Sequence, residues 1–110
     1  MANSDQGLIW ENDWAAAFAD IHPKAPIHIL VVPKRHITNL DELDDAELAG
    51  HLLLAVREVA QTVGLSGAYR VGLNNGKAAG QVIEHLHFHL MGRKAGQNFS
   101  SVGVESDLVQ

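Results

Sequence analysis

The chain contains no cysteine among its 110 residues, which excludes disulfide bonds and thiolate zinc sites. Basic residues are also scarce: 8 lysines and arginines face 13 acidic residues, for a formal net charge of −5. Nucleic-acid binding normally needs a basic stripe, so we expect no such partner. No apolar run approaches the roughly 20 residues of a membrane helix, and the first residues lack the pattern of a signal peptide. We therefore expect a cytoplasmic protein without a membrane partner.

The length and composition indicate one globular domain. A hydrophobic fraction of 46% is enough to bury a core in a chain of this size. Small and polar residues dominate the end of the chain. We therefore assign the domain to residues 1–94, and we expect residues 95–110 to form a tail that is flexible or loosely docked.

Several short apolar segments have the composition of β-strands. Residues 8–10 and 14–19 flank a polar turn and predict a β-hairpin. Residues 28–33 are rich in β-branched and apolar side chains, and residues 69–73 resemble them. A loop with two glycines, residues 74–80, precedes a further strand.

One long amphipathic helix is predicted after residue 44. Asp44 and Glu47 form a start that resembles a capping box, and Gly64 is a natural stop. Apolar residues recur between them at helical spacing, with Leu53 and Ala60 widening the stripe. The regularly spaced members are Leu48, Leu52, Val56, Val59 and Val63. We interpret this helix as a core-packing element.

Three histidines alternate with apolar residues in the segment HLHFHL, at positions 85, 87 and 89. Alternate side chains of a strand point to the same face, so the three imidazoles line one face and the apolar residues the other. The same alternation directs Glu84 away from the histidines. Three adjacent imidazoles indicate either a metal site or a site that binds and attacks an anion.

The nucleophilic alternative needs no metal. A neutral imidazole attacks phosphorus well when its other nitrogen is held as a hydrogen-bond donor, and flanking imidazoles can donate to phosphate oxygens. His28, on a neighbouring predicted strand, supplies a fourth ring. The glycine-containing loop just before the histidines allows backbone N–H groups to approach an anion.

These residues resemble the histidine triad (HIT) family. The segment HLHFHLM is similar to the family motif, and FADI followed by P-K-A-P-I-H resembles its ribose and base segment. VVPKRHI, Asn74 and the pair Gly80-Gln81 also match in order and spacing, so the resemblance covers about residues 8–93. The final Met-Gly-Arg is closer to the Hint branch. The resemblance implies an α+β fold with about five mostly antiparallel strands, one long helix and a two-fold dimer.

The resemblance also implies a chemistry at the α-phosphate of a nucleotide. His87 would form a transient nucleotidyl-histidine, which water then hydrolyses. His85 would orient His87 through its backbone carbonyl, His89 would contact the α-phosphate and the bridging atom, and His28 would join the network. Substrates would be nucleoside phosphoramidates, aminoacyl-adenylates or dinucleoside polyphosphates, with no metal or other cofactor.

The resemblance assigns the substrate contacts as well. Asp20 would accept from the ribose hydroxyls, because a carboxylate only accepts hydrogen bonds. The base would lie against Phe18, Ile21 and Leu30. The phosphate region would be held by Asn74, Gly80, Gln81 and Val82.

One departure from the family pattern concerns Val82. Many members have serine or threonine there, and valine cannot donate a hydrogen bond to the leaving group. Leaving-group assistance would then rest on His89 or the backbone. Together with the short segment before the first hairpin, this keeps a second hypothesis open, a nucleotide-binding protein with little turnover. A metal-dependent hydrolase using the three histidines is a third.

Overall fold

A computed structural model describes residues 7–65 and 67–94. Five strands form one sheet in the order β1-β2-β3-β5-β4, and every neighbouring pair is antiparallel. The strands are β1 (Leu8–Glu11), β2 (Ala15–Ala19), β3 (Ile27–Pro33), β4 (Arg70–Gly72) and β5 (Phe88–Gly92). The helix is α1 (Ala46–Thr62), and short 3-10 turns lie at Leu40–Glu42 and Lys77–Ala79. The predicted α+β class is confirmed, whereas the predicted tail lies outside the described residues.

Strands β1 and β2 form the predicted hairpin. The Asn12 side chain closes its turn, because Oδ1 accepts from the backbone N–H groups of Trp14 and Ala15 at 2.8 and 2.9 Å. Ala15 and Ala17 are fully buried in the cluster that also holds the apolar side of α1. Their small side chains let the helix pack close to this strand.

Helix α1 begins one residue later than predicted. Asp45, not Asp44, is the N-cap, and its carboxylate accepts from the N–H groups of Glu47 and Leu48 at 3.0 and 3.2 Å. The prediction of Asp44 was wrong because the extended backbone at Asp45 brings the second of the two carboxylates over the open first turn. The helix ends before Gly64, which has φ of +84°, as expected of a glycine stop.

The buried side of α1 includes Ala60, as predicted, but not Leu53. Leu48, Leu52 and Val56 are buried, but the Leu53 side chain is 60% exposed and Leu54 is exposed as well. Leu53 follows Leu52 by about 100° around the helix axis, which turns it out of the buried stripe. An exposed apolar strip therefore remains on α1. No helix in the described ranges is long and apolar enough to cross a membrane.

The two faces of the sheet differ in chemistry. Ile29, Val31 and Leu90 face α1 and belong to the hydrophobic core. On the opposite face the strand register pairs Phe18 with Leu30 and Leu30 with His89, so these three side chains form a row across β2, β3 and β5. This row is the floor of the site.

Candidate active site

The three alternating histidines stand together on the face opposite α1. His85, His87 and His89 are all buried, while Leu86 and Leu90 between and after them pack in the core. The predicted alternation is therefore confirmed. Only His89 lies within β5, since the strand begins at Phe88, and the chain bends over residues 83–85.

The histidines open into a cleft of about 810 Å³, here called the main cleft. It contains eight of the predicted site residues, namely Phe18, Asp20, Ile21, Leu30, Val82, His85, His87 and His89. Three polar residues that the sequence did not place there also line it: His22, His36 and Glu84. The other four predicted residues do not line the main cleft: His28, Asn74, Gly80 and Gln81.

In the neutral ring of His87, the backbone decides which nitrogen carries the proton. Its Nδ1 lies 2.8 Å from the carbonyl oxygen of His85. A carbonyl only accepts, so Nδ1 carries the proton and donates it. Nε2 of His87 therefore keeps its lone pair. This is the arrangement that an attacking imidazole requires.

Hydrogen bonds also decide which nitrogens of His28 and His89 carry the ring protons. Nδ1 of His28 accepts from the backbone N–H of Lys24 at 2.9 Å, so the ring proton of His28 is on Nε2. Nε2 of His28 donates this proton to Nδ1 of His89 at 2.9 Å, and the same Nε2 lies 3.3 Å from Oδ2 of Asp20. His89 consequently carries its own proton on Nε2. His28 thus supports His89 without lining the main cleft.

His89 is a neutral ring with one N–H left to donate, on Nε2. Burial, followed by repulsion from His87 and His28 and partly offset by Asp20, lowers its pKa to about 4. Its Nε2 is buried and has no hydrogen-bond partner in the part of the chain that the structure describes. A buried N–H without a partner is costly, so a ligand oxygen or nitrogen at this point is favoured.

Asp20, His28 and His89 also place possible metal-ligand atoms within 4.8 Å of one another. A metal needs the lone pair of each ligating nitrogen. At His28 the nearest nitrogen, Nε2, carries the ring proton because Lys24 occupies Nδ1. Metal binding would therefore require this backbone hydrogen bond to break. The trio fits a hydrogen-bond chain better than a cation site.

His36 extends the network at the opposite end. Nε2 of His85 donates to the carbonyl of Pro33 at 3.0 Å, so Nδ1 of His85 accepts, and Nδ1 of His36 lies 3.2 Å from it. Burial lowers the pKa of His85, which favours its neutral, accepting form. No local pattern in the sequence predicts this contact, because His36 and His85 are 49 residues apart.

The two carboxylate oxygens of Asp20 have different partners. Its Oδ1 accepts from the backbone N–H of His22 at 2.9 Å and stabilises the turn, while Oδ2 faces His28. Its side chain is only 7% exposed, although it lines the main cleft. Ile21 differs, since it is 85% exposed and belongs to no core cluster. An apolar side chain so placed is available to pack on a ligand.

Glu84 contradicts the strand alternation. It was expected on the face opposite the histidines, but it lines the same cleft as His85, His87 and His89. The reason is the bend over residues 83–85, because alternation holds only where the backbone is extended. Glu84 is exposed and places a carboxylate at the cleft rim.

Asn74 and Gln81 brace the glycine-containing loop. Nδ2 of Asn74 donates to the carbonyl of Ala79 at 2.9 Å. Gln81 accepts from Gly76 and donates to the carbonyls of Thr38 and Ile83.

The N–H groups of Gly80 and Gln81 donate within the loop, to the carbonyls of Lys77 and Gly76. Their contact with phosphate, like that of Asn74, stays a prediction.

An antiparallel sheet backed by one helix, with a buried histidine triad facing a cleft, defines the class of this protein. A family model for the HIT domain matches residues 2–96, and the chain belongs to the HIT family. An uncharacterized HIT-like protein of Synechococcus elongatus is 46% identical over 90 residues, covering 80% of this chain and 79% of that protein.

Two solved structures share the fold. A HIT family hydrolase from Legionella pneumophila matches with a TM-score of 0.75 and 35% identity, over 84% of this chain and 83% of that one. A histidine triad nucleotide-binding protein from Candida albicans matches with a TM-score of 0.72 and 28% identity, over 89% and 73%.

Proposed function

We propose that this protein hydrolyses nucleotides at the α-phosphate through a covalent intermediate on His87. One observation carries the proposal: backbone hydrogen bonds leave a lone pair on Nε2 of His87, next to a neutral N–H on Nε2 of His89. The ring centroids of His87 and His89 are 5.0 Å apart, and the ring planes meet at 70°. An attacking atom and a hydrogen-bond donor therefore share one cleft. The hydrolases and the nucleotide-binding protein among its structural relatives support this proposal.

The reaction has two displacements. In the first, the lone pair of His87 Nε2 forms a bond to phosphorus while the bond from phosphorus to the leaving group breaks. In the second, the oxygen of a water molecule bonds to phosphorus and the water gives one proton to solvent, while the bond to His87 breaks and the nucleoside monophosphate departs. His89 donates a hydrogen bond to the phosphate or the bridging atom in both steps. A leaving amine takes its extra proton from solvent, because neutral His89 retains its own.

The nucleoside is assigned to the end of the cleft formed by β2. Ile21 and Phe18 offer apolar contact to the base, with Leu30 on the floor, and Asp20 offers an acceptor to the ribose. The substrate class that we propose is the purine nucleoside phosphoramidate, followed by aminoacyl-adenylates and dinucleoside polyphosphates. Attack at the α-phosphate releases the nucleoside monophosphate from all three classes, which is AMP where the nucleoside is adenosine.

The test is AMP release from adenosine 5′-phosphoramidate in the presence of EDTA. We expect turnover by the wild type and none by His87→Ala. His51→Ala is the matched control, because His51 stacks on Trp14 at 4.0 Å on the helix side and lines none of the described clefts. A His87→Ala variant as active as the wild type would overturn the proposal.

Two other outcomes correspond to the competing hypotheses. AMP binding without release by the wild type would favour a nucleotide-binding protein with little turnover. Val82, which offers no hydroxyl to the leaving group, is the observation behind that alternative. Activity that EDTA abolishes and zinc or manganese restores would favour the metal-dependent hydrolase.

We also propose that the protein is a homodimer. Leu53 and Leu54 leave an exposed apolar strip on α1, and Val71 is exposed on β4, which is an edge strand of the sheet. An unpaired strand edge and an apolar helix strip are both stabilised by pairing with a second copy. Each copy would then carry its own cleft.

A further inference from the structure

A second hollow of about 420 Å³, here called the side cleft, lies beside the main cleft. Its lining consists of Thr38, Asn39, Lys77, Gln81, Val82 and Glu84. Val82 and Glu84 line both clefts and are both exposed, so they form a wall that the two clefts share. A ligand bound at His87 can extend across this wall without moving the core.

The side cleft lies at the end of the site opposite the proposed nucleoside contacts. The backbone of Asp20 is bonded to His28, near the start of β3, whereas His85 is bonded to Pro33 at its end. Five residue steps along β3 separate these points by roughly 16 Å. With the nucleoside at the Asp20 end and phosphorus at His87, the leaving group points toward Glu84.

The charges around the side cleft favour a leaving group that carries a hydrogen-bond donor or a positive charge. Within the described ranges no lysine or arginine lines the main cleft, and Glu84 places a carboxylate in the shared wall. Asn39 lines the side cleft and its Oδ1 is buried without a hydrogen-bond partner among the described residues. Lys77 is exposed and is the one cation among the lining residues that opposes this preference.

We propose that the side cleft receives the leaving group and that Glu84 selects leaving amines carrying a second, positively charged amine. The inference rests on the proposed hydrolysis at His87. A polyphosphate leaving group would instead bring additional negative charge against the Glu84 carboxylate. The site is thus expected to prefer cationic over neutral, and neutral over anionic, leaving groups.

The experiment compares two adenosine 5′-phosphoramidates that differ in one atom of the leaving amine. One carries an N-pentyl group and the other the isosteric N-(4-aminobutyl) group, whose terminal amine is protonated. The readout is the ratio of kcat/KM for the charged substrate to kcat/KM for the neutral one. Partly exposed ion pairs are worth up to about a fivefold preference, so we expect a ratio of about three to five in the wild type.

Variants assign the preference to one side chain. Glu84→Gln should bring the ratio to about one, and Glu84→Lys should invert it. Glu58→Gln makes the same chemical change on the exposed side of α1, away from both clefts, and should keep the wild-type ratio.

A wild-type ratio of one, or a ratio above one that survives in Glu84→Gln, would overturn the selection by Glu84 while hydrolysis itself remains. Absence of turnover on both substrates and on unsubstituted adenosine 5′-phosphoramidate would instead overturn the proposed function, and this inference with it.

Discussion

Mild acid should destabilise the protein through His89. The pKa of His89 is about 4 in the folded protein and 6.5 in its ordinary state. At a pH between these two pKa values, the ring is protonated in the unfolded chain but neutral in the folded one. The free energy of unfolding therefore falls as the pH falls. Linkage of these two pKa values gives a loss of ~2 kcal/mol between pH 7 and pH 5 from this one ring. His85, whose pKa is also lowered, adds a loss of the same sign.

Urea unfolding at pH 7 and pH 5, at one protein concentration, measures this loss. His89→Asn is the informative variant, because its side-chain oxygen can still accept from Nε2 of His28. Its free energy of unfolding should fall by ~2 kcal/mol less than that of the wild type over the same pH interval. His22→Gln removes an exposed histidine and should behave like the wild type. Equal losses in wild type and His89→Asn would refute the reasoning.

Three further predictions concern packing, positioning and assembly. Gly92→Ala should lower the free energy of unfolding by about 1–3 kcal/mol in urea titrations, because its Cβ would lie 2.9 Å from Leu65 Cδ1. His36→Phe should lower kcat about threefold to tenfold with little change in KM, since it leaves Nδ1 of His85 without a donor; an unchanged kcat would contradict that role. Light scattering should report a dimer for the wild type and a monomer for Leu53→Glu, whereas a monomeric wild type would count against the proposed assembly.

The regular elements could be predicted because their signals are local. The stripe through Leu48, Leu52 and Val56 fixed the buried side of α1, and alternation placed the three triad histidines on one face. Leu53 was misassigned to that stripe since composition alone does not show where a buried face ends.

The errors at the site have long-range causes. Asp44 and Asp45 are chemically identical, and only the backbone direction decides which one caps the helix. Glu84 entered the cleft because the chain bends before β5, and that bend accompanies a contact across the fold, the hydrogen bond from Leu86 to Ile37. His36 meets His85 for the same reason, through a register between segments 49 residues apart.

Backbone groups determine where the protons of the His28, His85 and His87 rings lie. Lys24 N–H, the Pro33 carbonyl and the His85 carbonyl decide which nitrogen of each ring holds its hydrogen. Amino-acid substitution does not remove a backbone carbonyl, and only proline removes a backbone N–H. The walls of the cleft can therefore diverge during evolution without changing which nitrogen of His87 holds the lone pair.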